Sequence, residues 1–154
     1  MTPLDSGGYF IRSSSIMWFV KRVRRRKVRV RSRSERTRYE VHKEKARALV
    51  HERVLFWAPH IGVTPGRIAI RDQRSRWGSC STNGNLNFNY RVVFLPSELV
   101  DYIIVHELCH LLEFNHGEHF WNHVGGVLPD FKLRKSALHV QRVLQTPVEA
   151  TGTI

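Results

Sequence analysis

The stretch His106-Glu107-Leu108-Cys109-His110, continued by Leu111-Leu112-Glu113-Phe114-Asn115-His116, decides how the rest of the chain is read. Residues four apart on an α-helix lie one above the other, so His106 and His110 can aim their imidazoles at one point. That spacing makes a metal clamp. A zinc site that does chemistry takes three protein donors and leaves the fourth position to water. His116 supplies the third donor if the helix ends near Glu113 to Asn115 and the chain bends back, with Gly117 free to take positive φ at the reversal. Glu107 is rotated about 100° from His106 and leans over the open position. There it can take a proton from a water whose pKa a bound ion lowers to about 7.

Against this stands the plain alternative of a solvated helix that happens to carry histidines. Their concentration argues for the site, since five of the nine histidines lie between His106 and His123. His119 and His123 form a second i, i+4 pair that can replace His116 as donor or simply hydrogen-bond near the cleft. Glu113 and Asp130 can orient a ligand's second nitrogen or be ordinary solvated carboxylates. Tyr102 or His119 can donate to an oxyanion, which needs a donor about 3 Å from the developing charge; a tyrosine at position 102 is more often core.

The 154 residues allow one domain of roughly 100 to 120 residues and an extension. Hydrophobic residues make up 42%, and no apolar run approaches the roughly 18 to 20 residues needed to span a bilayer. Cys80 and Cys109 are far apart and form no C-x-x-C pair, which argues against a disulfide framework and for a reducing, cytoplasmic setting. The net charge of +12 is concentrated: residues 21–38 hold eleven Lys or Arg against Glu35 alone. The charge therefore belongs to one segment rather than to the site. Such a tract can hold phosphate backbones without sequence selectivity, hold anionic lipid, or be a leader without a task.

Residues 1–38 read as a basic, disordered N-terminal extension, with a short strand as the alternative before Val20. Its charge follows the apolar part, the reverse of a secretory signal. Residues 39–145 read as the domain and 146–154 as a flexible tail. From Tyr39 to about His60 the pattern predicts one long amphipathic helix, with Val41, Ala48, Leu49, Leu55 and Phe56 as its packing stripe and Pro59 and Gly62 as its end. Residues 67–71, 76–81 and 86–90 alternate as short strands, with Asn83-Gly84 at a hairpin turn and 92–95 as an extension or a further strand. Together they predict a small antiparallel sheet forming half of a cleft. Arg67, Arg71, Arg74 and Arg76 near it can draw in an acidic substrate or nucleic acid, or be solvated strand faces. Pro96-Ser97-Glu98 opens the central helix, which Leu99, Ile103, Leu108, Leu111 and Leu112 bury. A short helix over 118–124, broken by Gly125-Gly126, and a last helix from Pro129-Asp130 to about Leu144 complete the chain.

Arg76-Trp77-Gly78-Ser79-Cys80-Ser81, Gly84-x-Leu86-Asn87, Pro96-x-Glu98-x-x-Asp101-Tyr102, His106-Glu107-Leu108-Cys109-His110, Asn115-His116-Gly117-x-x-Phe120-Trp121 and Pro129-Asp130, in that order, resemble the YgjP-like metallopeptidase domain, related to the SprT-like zincins. The resemblance covers roughly Tyr39 to Leu144. It implies an α+β, zincin-like fold of minigluzincin type, with a long N-terminal helix, a small antiparallel sheet, a central HExxH helix and C-terminal helices. It also implies zinc held by His106, His110 and His116, with Glu107 as the catalytic base. The β-rich basic segment that precedes the long helix in that family reads here as shortened, or replaced by the Arg-rich tract.

Two functions follow. One is a zinc metallopeptidase acting on a peptide or protein that pairs with an edge strand, taken as Leu86 to Tyr90. The other is a nucleic-acid-associated module whose zinc is structural and closed by a fourth protein donor such as His119 or His123. A protease recruited to DNA or RNA through residues 21–38 combines the two.

Overall fold

The computed structural model describes residues 8–13, 16–21, 32–73 and 75–145, in two units that divide at Ser32. The rest of the expected N-terminal extension (1–7, 14–15 and 22–31), Arg74 and the tail 146–154 lie outside the described residues. In the first unit β1 (Gly8–Ser13) and β2 (Ile16–Lys21) pair antiparallel, Gly8 opposite Lys21 and Ser13 opposite Ile16. The aromatic and β-branched content of these segments favours strand over disorder.

The second unit opens with α1 (Arg33–Ile61), so the helix expected from Tyr39 begins inside the basic tract. Its buried residues are Ala46, Val50, Val54 and Ala58, each one turn above the last. The predicted stripe is largely misplaced: Val41, Leu55 and Phe56 are 66%, 75% and 50% exposed and Ala48 is exposed too, whereas Leu49 packs against the core. At about 100° per residue, Val41, Ala48 and Leu55 share a face roughly opposite Ala46. Small and β-branched residues form the fully buried line, and Tyr39, Leu49, Trp57 and Ile61 pack beside it. Gly62, at φ 77°, ends the helix by returning its N–H to Ala58 O at 3.0 Å.

β3 (Ile68–Arg71), β4 (Gly78–Cys80) and β5 (Leu86–Asn89) form one sheet in the order β3-β5-β4. β4 runs antiparallel to β5, but β3 runs parallel to it, so the sheet is mixed rather than antiparallel. Consequently β5 is the central strand, not the edge expected from the sequence. The cause is the path of residues 72–73 and 75–77, which lie across the end of β5 instead of turning back beside β3. Asn89 pins that crossing: its side-chain amide donates to the carbonyls of Gln73 and Arg76, the latter at 3.1 Å, and its backbone N–H to Trp77 O at 2.8 Å. Arg91 adds an ion pair to Asp72 at 2.8 Å. Gly84, at φ 73°, makes the expected β4–β5 turn. Tyr90–Phe94 winds into a 3-10 turn capped by Asn89 Oδ1, which accepts from Arg91 N at 3.1 Å; no further strand forms there.

α2 (Ser97–Cys109) starts after Pro96 as expected and is buried nearly all round. One face joins Leu86, Phe88, Tyr90, Val50 and Val54 through Val100, Ile103, Ile104 and Leu108. The other, Tyr102, Val105 and Cys109, meets Phe120, Val124 and Leu128. Leu112, expected to help bury the helix, is 45% exposed. α3 (Glu118–Val127) runs straight through Gly125-Gly126. Gly125 marks a close approach rather than a break, since a Cβ there would lie 3.3 Å from the Phe131 ring. α4 (Phe131–Gln145) is tied to the start of α2 by Arg134, which donates to Glu98 O at 2.9 Å. No helix among the described residues is long and apolar enough to cross a membrane.

Candidate metal centre

α2 ends at Cys109, about one turn earlier than expected, and His110 is its C-terminal cap. Leu111 donates to Leu108 O, and Leu112 and Glu113 both donate to Cys109 O, each at 3.0 Å. These bonds turn the chain directly after the clamp and bring residue 116 back over it. Gly117 has φ −79°, in a range open to any residue, so the reversal does not rest on a glycine as the sequence suggested.

His106, His110 and His116 each offer one ring nitrogen, and the three nitrogens lie within 4.8 Å of one another. The Nε2 atoms of His106 and His116 are 3.1 Å apart. Donors about 2.0 to 2.1 Å from a tetrahedral zinc would be separated by about 3.3 Å. Burial, reinforced by His110, His116 and Lys135, lowers the pKa of His106 to about 3, so its ring is neutral at physiological pH. His106 Nδ1 is itself buried without a partner. Neutral imidazoles with converging lone pairs fit a divalent cation of borderline softness. His110 Nδ1 lies 3.1 Å from Glu113 O; donation there leaves Nε2 free for an ion. Around the group, Phe120 stacks on His110 at 4.6 Å, and the Trp121 indole N–H donates to His116 O at 3.0 Å.

The alternative donors stand elsewhere. His119 and His123 are exposed on α3 and outside this cluster. Glu113 orients His110 through its backbone carbonyl, while its carboxylate accepts from Asn115 N at 3.1 Å. Asp130 is paired with Arg134 at 2.9 Å. Among the described residues the cluster therefore has three protein donors, not the four of a closed structural site.

Glu107 is 6% exposed. Burial raises its pKa to about 8, with Arg76 pulling the other way. Its side chain packs against the backbone of β4: a Cβ on Gly78 would lie 2.6 Å from Glu107 Cγ and Oε1. The sequence reading missed this role, although a glycine inside a short strand is the usual sign of such an approach. Glu107 and His106 face a cleft of about 690 Å³ that Arg76, Trp77 and Tyr102 also line. Its far wall comes from α4, through Lys135, Ser136, Leu138 and His139. No local pattern connects α4 to the motif, and the sequence reading missed these residues as well. Burial, and then the neighbouring Glu107, holds the Tyr102 hydroxyl protonated up to about pH 12. The arginines near the sheet divide: Arg76 lines this cleft, whereas Arg67 and Arg71 border a separate hollow of about 280 Å³ with Tyr39, Lys43 and Arg47.

A family model for the YgjP-like metallopeptidase domain matches residues 16–141. The match takes in residues ahead of Tyr39 as well as the domain that follows. A search of curated proteins finds no match. Among solved structures, the chain is similar to the metallopeptidase zymogen of Pyrococcus abyssi abylysin at 24% identity and a TM-score of 0.55, over 60% of this chain and 93% of that one. It is also similar to the metallopeptidase zymogen of Methanocaldococcus jannaschii jannalysin, at 25% identity and a TM-score of 0.49, over 64% and 96%. The first of these likenesses is one of fold.

Proposed function

Since the chain belongs to the YgjP-like metallopeptidase domain family, we propose that it hydrolyses peptide bonds with Glu107 as general base, beside a zinc ion held by His106, His110 and His116. The observation that carries this reading is the convergence of three ring nitrogens within 4.8 Å of one another, one of them on His106, which lines the same cleft as Glu107. Zinc bound there would supply Lewis acidity, polarising a carbonyl and drawing the pKa of a water toward 7. With a bound cation beside it favouring the ionised form against its burial, Glu107 takes a proton from the attacking water and passes it to the departing amine. Its burial against Gly78 fixes the carboxyl so that no reorganisation precedes that transfer.

An extended substrate pairs with β4, the sheet edge that carries Gly78, and not with the central strand β5. Tyr102, protonated and among the residues that line the cleft, would donate to a developing oxyanion; the exposed His119 is not among them. The test is Glu107→Gln, assayed with wild type on a mixture of peptides after both proteins are loaded with zinc. Turnover should vanish while the metal stays. Undiminished cleavage by the variant, in material free of contaminating protease, would sink the mechanism.

A further inference from the structure

The cleft is electrically lopsided. Glu107 is the only carboxylate among the described residues that line it, while Arg76 and Lys135 enter from opposite walls. Arg76 is carried on the loop that crosses β5, where Asn89 grips its carbonyl at 3.1 Å. Lys135 comes from α4, its ammonium 4.2 Å from the centre of the Trp121 ring. Trp121 is bonded in turn to His116 O at 3.0 Å and stacked on Phe131 at 5.4 Å, so the ammonium is held close to the histidine cluster.

The arginines that tie elements together are neutralised: Arg53 by Asp101, Arg91 by Asp72 and Arg134 by Asp130. Arg76 and Lys135 have no carboxylate partner within ion-pair distance among the described residues. Two unneutralised cations across a partly enclosed cleft create a focused positive potential, which favours an anionic ligand and penalises a cationic one. We propose that this cleft selects peptides bearing a carboxylate beside the scissile bond, either an acidic side chain or the C-terminal carboxylate, and that Arg76 and Lys135 are the residues that read it. The proposal rests on the peptidase reading above and names its substrate class.

The test is equilibrium binding by fluorescence anisotropy to zinc-loaded Glu107→Gln. The probes are eight-residue peptides identical except for Glu, Gln or Lys at the central positions, each with a free or an amidated C-terminus. At low ionic strength the Glu peptides should bind about tenfold tighter than the Lys peptides, and the gap should shrink in high salt. Adding Arg76→Glu and Lys135→Glu should abolish or invert the preference. Arg76→Gln with Lys135→Gln should abolish it without inverting it. Zinc content shows that each variant retains its site. A preference that follows the free C-terminus whatever the central residues assigns the recognised carboxylate to the chain end. Equal binding of all the peptides whatever their central residues and C-terminus, a preference unchanged in the charge-reversed protein, or no binding of any peptide would overturn the proposal. Charge-selective binding without cleavage by wild type would instead overturn the peptidase mechanism and leave the selection standing.

Discussion

Glu107 occupies the space that any side chain on Gly78 would need, with its Cγ and Oε1 both 2.6 Å from where a Cβ would sit. The carboxyl is buried and cannot swing out of the way at low cost. Gly78→Ala should therefore displace Glu107, lower kcat by more than tenfold and cost about 1 to 3 kcal/mol of stability through overpacking. Because the histidines are untouched, zinc content should stay near that of wild type. Turnover and elemental analysis on the same preparation check this; an unchanged kcat would show that the contact does not position the base.

His116 reaches the cluster only because the chain turns immediately after His110, while His119 and His123 stay on the exposed side of α3. His116→Ala should lower zinc affinity by orders of magnitude, whereas His119→Ala and His123→Ala should retain about one zinc per chain. Metal content after dialysis against a weak chelator separates these outcomes. Equal loss from His116→Ala and His119→Ala would mean that the shell is assembled differently.

The local part of this site is legible in the sequence because it is written in short spacings. His106 and His110 sit one turn apart on one helix, and His116 is near enough to be supplied by a single turn of chain. The sheet is not legible in the same way. Whether the chain turns back or crosses over after Asp72 and Gln73 depends on Asn89 and Arg91, some 16 to 19 residues farther on. Strand alternation carries no trace of that choice. The packing face of α1 is obscured for another reason: its large apolar residues Leu55 and Phe56 are largely exposed while Ala46 and Ala58 are buried, so the bulkiest side chains point to the wrong stripe. Lys135 enters the cleft purely through tertiary packing of α4.

Stability of the zinc-free protein should depend on pH in two opposed ways. The pKa of His106 is lowered from 6.5 to about 3, and that of His110 is lowered too, both chiefly by burial. Their contribution is full above pH 6.5 and is lost as pH falls, because the unfolded chain takes up protons that the folded one refuses. The pKa of Glu107 is raised from 4.5 to about 8, so its contribution is full below pH 4.5 and is lost as pH rises through 8. The melting temperature should therefore peak close to the ordinary histidine pKa and fall on either side. Glu107→Gln should remove the alkaline fall and leave the acid one. Thermal melts in chelator from pH 4 to 9 would show this, and an alkaline fall of the same size in the variant would assign it to another group.

Asp101 joins α1 to α2, the helix that carries His106. Both its oxygens accept from Arg53, Oδ1 from Nε at 2.6 Å and Oδ2 from the terminal nitrogen, and Oδ1 also accepts from the Trp57 indole N–H at 3.0 Å. The carboxylate is 10% exposed and the guanidinium 27%, so losing one partner strands the other in a poorly hydrated place. Asp101→Ala should cost about 3 kcal/mol, the usual penalty for breaking a buried pair from one side. Replacing both partners, with Arg53→Met and Asp101→Leu, should recover most of that loss, because no charge is then left unpaired. Urea unfolding midpoints of the single and double variants give the comparison. A double variant no more stable than Asp101→Ala would mean that the pair fixes the register of α1 on α2 and that apolar packing cannot replace it.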